Sequence, residues 1–126
     1  MRAIWLVLFT ISLTTGSALS QVKDAPAALY AGADVIFDGR LEKIAPSPSG
    51  LTARFSITQL IKGQAATSNG VQVQVPAESR CHVFEENHRY LVYGRKIDDQ
   101  LWVDPCEGSK LYSQAESDLR YIHTIN

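Results

Sequence analysis

The sequence is poor in the features that usually announce a function. It has no Gly-x-Gly-x-x-Gly and no P-loop, so a nucleotide cofactor has no visible site. No serine sits in Gly-x-Ser-x-Gly, and neither His-Glu-x-x-His nor His-x-x-Glu-His occurs, which removes the α/β-hydrolase and zinc-hydrolase signatures. Internal repeats and low-complexity tracts are absent, and only one long apolar run occurs, near the start. Positive charge is in short supply as well: 12 Lys and Arg stand against 13 Asp and Glu, with no basic stripe. Nucleic acid and anionic membrane are therefore poor partners. Cysteine occurs only twice in 126 residues.

What is present begins with an export signal. Met1-Arg2 supplies a short positive start, Ala3–Leu13 is apolar, and small residues follow from Thr14 to Ser20. Ala18-Leu19-Ser20 fits the small-x-small rule, so cleavage is expected after Ser20, with Ala18 as the second choice. The apolar run is about half the roughly 20 residues that a spanning helix needs, so no membrane span is expected after cleavage. A lipoprotein would need a cysteine at the cleavage site, and none is there. The expected division is a signal peptide over 1–20 and one domain over 21–126, exported to the periplasm or the exterior. Without Arg2 the domain carries 11 basic and 13 acidic residues, a formal charge of −2.

An exported chain sits where disulfides persist, and pairing Cys81 with Cys106 is the economical reading. In the loop-entropy model a bridge of this span contributes about 3–3.5 kcal/mol, less any strain. The rival reading, a catalytic thiolate, needs a basic partner and a reducing compartment, and the leader argues against it.

Along the domain, Pro26 is expected to open a short helical turn running to Ala31, with Gly32 ending it. Period-two alternation then marks a strand over Asp34–Ile44, with Val35, Phe37, Gly39 and Leu41 on one face and Asp38, Arg40 and Glu42 on the other. Gly39 within it predicts a bulge or sharp bend. Ala45–Gly50 reads as a loop on its two prolines, two serines and glycine. Strands follow at Leu51–Ile61 and Val71–Val75. A hairpin comes next, Arg89–Gly94 and Leu101–Val103 around a charged turn at Arg95–Gln100. A turn at Glu107-Gly108 leads to a closing amphipathic helix over Ser113–Thr124, started by the capping box Ser113-Gln114-Ala115-Glu116, with Ala115, Leu119 and Ile122 on its inner face. Five strands and a late helix, with no βαβ alternation, predict a mainly β fold. A small five-stranded barrel closes its own edges; an open sandwich is the alternative.

Chemistry-bearing residues concentrate at Cys81–Tyr90. His82, Glu85, Glu86 and His88 are the types that ligate a divalent metal, with His82, His88 and Glu85 the foremost candidates. The blander reading is a solvated loop between the disulfide and the fourth strand. No cofactor is expected. Asp98, Asp99 and Asp104 are candidate paired acids across the hairpin, or simply solvated turn residues. His123 reads as a surface residue that complements a helix dipole. Phe37, Phe55, Tyr90, Tyr93 and Trp102 are expected mostly in the core, with one or two free to form a binding face.

The order of these features resembles the netrin-like domain of tissue inhibitors of metalloproteinases, in its small exported bacterial form. The matching pieces are Ala33–Gly39, Phe55-Ser56-Ile57 leading to Ile61-Lys62-Gly63, Arg89–Tyr93, Cys106-Glu107-Gly108 and Ala115–Ile122. The resemblance implies an OB-fold, a five-stranded Greek-key barrel with helices beside it. It also implies a protein partner, with an extracytoplasmic metalloprotease as the candidate. In the family the chain begins Cys-x-Cys-x-Pro, and the first residue chelates the protease zinc. Here the corresponding stretch is Val22-Lys23-Asp24-Ala25-Pro26, so both cysteines are missing while Pro26 remains. The family's partners of those cysteines fall at places resembling Cys81 and Cys106, which implies that these two pair with each other. Without its cysteines, the arm of Gln21, Val22, Lys23 and Asp24 must order itself on binding, which costs affinity. The leading expectation is a non-catalytic exported protein-binding module. The alternative is a metalloendopeptidase inhibitor acting through that arm. A small metal-dependent enzyme centred on His82 and His88 comes third.

Overall fold

The computed structural model describes residues 25–65, 70–81 and 84–125. The expected signal peptide, the arm of Gln21–Asp24 and His82 lie outside these residues. Helix α1 spans Pro26–Gly32, with the proline at its first turn as its missing N–H allows. Six strands follow: β1 (Val35–Ser47), β2 (Gly50–Lys62), β3 (Gly70–Pro76), β4 (Arg89–Ile97), β5 (Gln100–Trp102) and β6 (Lys110–Leu111). A 3₁₀ turn at Tyr112–Gln114 leads into α2, Glu116–Ile125. Among the described residues the fold is mainly β with two α-helices.

The pairings close on themselves. β1 pairs antiparallel with β2, β2 with β3, and β4 with both β5 and β1. β3 meets β5 in parallel at Gln74 and Trp102, and β6 adds to β4 beside Tyr90 and Leu91. β1 is the hub because its first half has a partner on each side. The ladder slips at Asp38/Gly39, where the glycine was expected to bend the strand. A Cβ at Gly39 would stand 2.6 Å from the Ser56 carbonyl oxygen, so only glycine allows β2 this close.

Two apolar clusters flank the β1–β4 pair. Val35, Phe37, Leu41, Phe55, Val73 and Val92 fill the inside of the ring. Ile36, Leu91 and Tyr93 point to the opposite face and meet Ala115, just ahead of α2, and Ile122 within it. Ala115, Leu119 and Ile122 therefore line the inner face of the helix, as their spacing predicts.

Five details depart from the expectations, and the first is a sixth strand, the two-residue β6, added to the five expected. The Ala45–Gly50 loop shrinks to Pro48-Ser49, because β1 runs on to Ser47 and β2 begins at Gly50. Beyond Arg40, β1 has β2 as its strand partner, so Pro46 sits opposite Leu51 without interrupting a second ladder. The charged turn at Arg95–Gln100 shrinks in the same way, since β4 continues to Ile97. Asp98 and Asp99 both adopt left-handed φ, 52° and 65°, the signature of a two-residue hairpin turn. Ser113 does not start the helix: it lies in the 3₁₀ turn, and α2 begins at Glu116 with Leu119 N–H donating to the Ala115 carbonyl. Asp38 is buried rather than solvated, because α2 and its 3₁₀ turn cover the face of β1 that alternation assigns to water.

Candidate functional site

Two polar locks hold the layers in register. Arg89 donates from Nε and Nη2 to the two oxygens of Asp38 at 2.7 and 2.6 Å, a bidentate pair across the β1–β4 ladder. The Tyr112 ring lies 3.7 Å from the same guanidinium, which ties the 3₁₀ turn to the sheet. The Asp38 hydrogen bonds raise the Arg89 pKa further above its already high ordinary value. In the second lock, Tyr93 Oη donates to Asp118 at 2.6 Å, and Lys110 Nζ reaches both Asp118 oxygens at 3.0 and 2.9 Å. Sheet and closing helix are thereby joined through one buried carboxylate.

Burial, then the hydrogen bond to Asp118, then its negative charge all raise the Tyr93 pKa far above its ordinary value. The folded protein keeps this phenol proton to a higher pH than the unfolded chain does. Its contribution to stability is therefore complete at neutral pH and declines once pH passes about 10, where an unfolded tyrosine ionises. Urea midpoints measured from about pH 8 to about pH 11 are expected to fall at the alkaline end. Tyr93→Phe is expected to lose about 1–2 kcal/mol at neutral pH and to show a flatter alkaline decline.

The sequence-expected site residues separate in space. Cys81 and Cys106 are joined, with Cα atoms 5.2 Å apart, and both are exposed. His88 Nε2 lies 3.4 Å from Glu85 Oε1 on the surface, while Glu86 turns away to accept the Ile44 N–H. Among the described residues no group of three or more His, Cys, Asp and Glu is gathered to hold a metal ion. Asp98 and Asp99 form the hairpin turn. Asp104 is apart from them: its Oδ1 accepts from Ser79 Oγ at 3.1 Å and from the Cys106 N–H at 2.9 Å.

What the fold does assemble is a groove of about 660 Å³ beside the disulfide. Its floor is Tyr93, Gly94 and Trp102 of the β4–β5 hairpin. Helix α1 contributes Ala28, Leu29 and Gly32 to its sides, the disulfide turn Asp104, Cys106 and Glu107, and the strands Pro76 and Ile97. Ile97 is 52% exposed, more than the other exposed large hydrophobics among the described residues, Leu60 and Ile125. Arg95 and Glu107 add one charge of each sign, and both residues are exposed. The sequence held two hints of this surface, an isoleucine inside a charged turn and the lone tryptophan of residues 21–126. Neither hint locates the α1 wall, because Leu29 and Trp102 meet only through the fold.

Fold and site together define a small mainly β protein with a groove of mixed character next to a surface disulfide. No family model and no curated protein matches the sequence.

Proposed function

We propose that the protein is a non-catalytic exported binding module with an OB-type Greek-key barrel, and that the groove between α1 and the β4–β5 hairpin receives a segment of another protein. The barrel reading draws on the pairing order β1-β2-β3-β5-β4 returning to β1, with its parallel β3–β5 contact. The binding reading draws on one observation above all: Ile97 and Trp102 line a groove of ligand size together with Leu29 and the charged Arg95, Asp104 and Glu107. Aromatic and aliphatic anchors in such a setting supply most of an interface's energy. Its charged lining residues, one basic and two acidic, suit a polar peptide backbone better than a polyanion.

The test is to pan a random peptide library on immobilised protein comprising residues 21–126. Peptides that bind are expected to shift the emission of Trp102 and to lose about tenfold in affinity on Ile97→Asp. Since Ile97 is exposed, that change leaves the core intact. Selected peptides that ignore both Ile97 and Trp102 would place binding elsewhere.

A further inference from the structure

We infer that the Cys81–Cys106 disulfide is a redox-sensitive latch on one wall of the groove, so that a dithiol reductant opens the site without unfolding the protein. The inference rests on the groove being the binding site, and it concerns how that site is regulated.

The bond stands where it can be attacked and where its loss is felt locally. Both half-cystines are exposed, so a thiolate can reach either sulfur. Cys106 and its neighbours Asp104 and Glu107 are themselves the groove wall. The same turn supports the opposite wall, because a Cβ at Gly108 would stand 2.7 Å from Leu29 Cδ2. Gly108 has φ 104°, and its lack of a side chain lets α1 rest against the turn. Besides the disulfide, the turn is held by Asp104 through Ser79, the Cys106 N–H and the Glu107 N–H. The bond to the Cys106 N–H is exposed and the one from Ser79 half-buried, so water can replace them at modest cost.

The barrel does not depend on the bond in the same way. Phe84, three residues beyond Cys81, is buried against Phe55 and Tyr90 with ring centroids 5.5 and 4.8 Å apart. The Glu85 N–H donates to Tyr90 Oη at 2.8 Å. The segment is therefore pinned to the core downstream of the cysteine, and loss of the crosslink releases only the 104–108 turn and its partner at 79–81.

The exchange balances with a dithiol as the electron donor. One thiolate of the reductant attacks the Cys81 sulfur, and the S–S bond breaks to leave the Cys106 thiolate, which takes up a proton. Ser79 Oγ, 3.8 Å from Cys106 Sγ, can turn its one proton from Asp104 to the departing thiolate. The second thiol of the reductant then displaces Cys81 and closes the reductant's own disulfide. Two electrons and two protons have passed to the protein.

Trp102 on the groove floor reports the outcome without any ligand. The probe is acrylamide quenching of its fluorescence in protein comprising residues 21–126, before and after treatment with a small dithiol. Reduction is expected to raise the quenching constant about twofold while the far-ultraviolet β signal stays unchanged, as local opening predicts. Cys81→Ser/Cys106→Ser is expected to match the reduced protein and to ignore the reductant. Unchanged quenching after two free thiols have been titrated would overturn the latch. So would loss of the β signal on reduction, which would make the bond a global staple. Failure of groove peptides to bind the oxidised protein would instead count against the binding reading, and the quenching result does not depend on it.

Discussion

Phe55→Ala is expected to bring the protein close to unfolding at room temperature. Phe55 is fully buried and sits at the centre of an aromatic cluster, edge-on to Phe37, Phe84 and Tyr90 with centroids between 5.4 and 6.3 Å away. These partners come from β1, from the segment before β4 and from β4 itself, so one side chain joins three parts of the chain. Truncation removes the transfer free energy of the ring and leaves a cavity that strands paired on both sides cannot collapse into. The cost is about 3–5 kcal/mol, out of a total stability of about 5–15 kcal/mol for a domain of this kind. Urea denaturation followed by Trp102 fluorescence measures it directly. Leu60→Ala, on the same strand but 40% exposed, is the control and is expected to change stability by less than about 1 kcal/mol. Equal losses at both positions would mean that Phe55 is not the centre of the core.

Arg89→Met is the second large effect, and it arises from charge rather than volume. The Asp38 side chain is 3% exposed and faces Arg89, whose own side chain is 38% exposed. Removing the guanidinium leaves a carboxylate buried in the β1–β4 ladder without its counter-ion, a change that costs about 3–5 kcal/mol in fully buried pairs. Water can follow the vacated, partly open path of Arg89, so the expected loss is near the lower end, about 3 kcal/mol. The same change removes the cation under the Tyr112 ring, which loosens the 3₁₀ turn ahead of α2. The double variant Asp38→Val/Arg89→Met is expected to recover much of the loss, since it removes the stranded charge. A double-mutant cycle in urea measures the coupling, and additive losses would show that the pair does not act as a unit.

Much of this fold was legible because alternation is a local signal. Val71, Val73 and Val75 are buried while Gln72 is exposed, as their period of two requires. The inner face of Ala115, Leu119 and Ile122, the irregularity at Gly39 and the pairing of Cys81 with Cys106 were legible from spacing, from a lone glycine and from there being only two cysteines. Asp38 escaped the same reasoning, since alternation tells which residues share a face but not what covers that face. Closure of the ring between β1 and β4 also has no local signature. The two-residue strand β6 is too short for any period. At the site, Asp98 and Asp99 are exposed turn residues, one of the two readings the sequence offers, and they also shape the backbone, because consecutive positions at positive φ favour aspartate for its short polar side chain. The groove was illegible as a unit: α1, the end of β3, the hairpin and the disulfide turn each add a few residues, and none announces the others.

The meeting of Val35 with Gly94 at one end of the β1–β4 ladder also bears on how the protein folds. The β1–β2 hairpin is local, joined by Pro48-Ser49, and can form within microseconds. β4 must instead find the far side of β1 after β2, β3 and the long connection between them have been laid down. The loop-closure entropy of that search is lost before any contact rewards it. Chains dominated by such distant pairings fold on the order of milliseconds to seconds. Until β4 docks, β1 is an open apolar edge, and the last strand to arrive decides how long the nascent protein is vulnerable to aggregation.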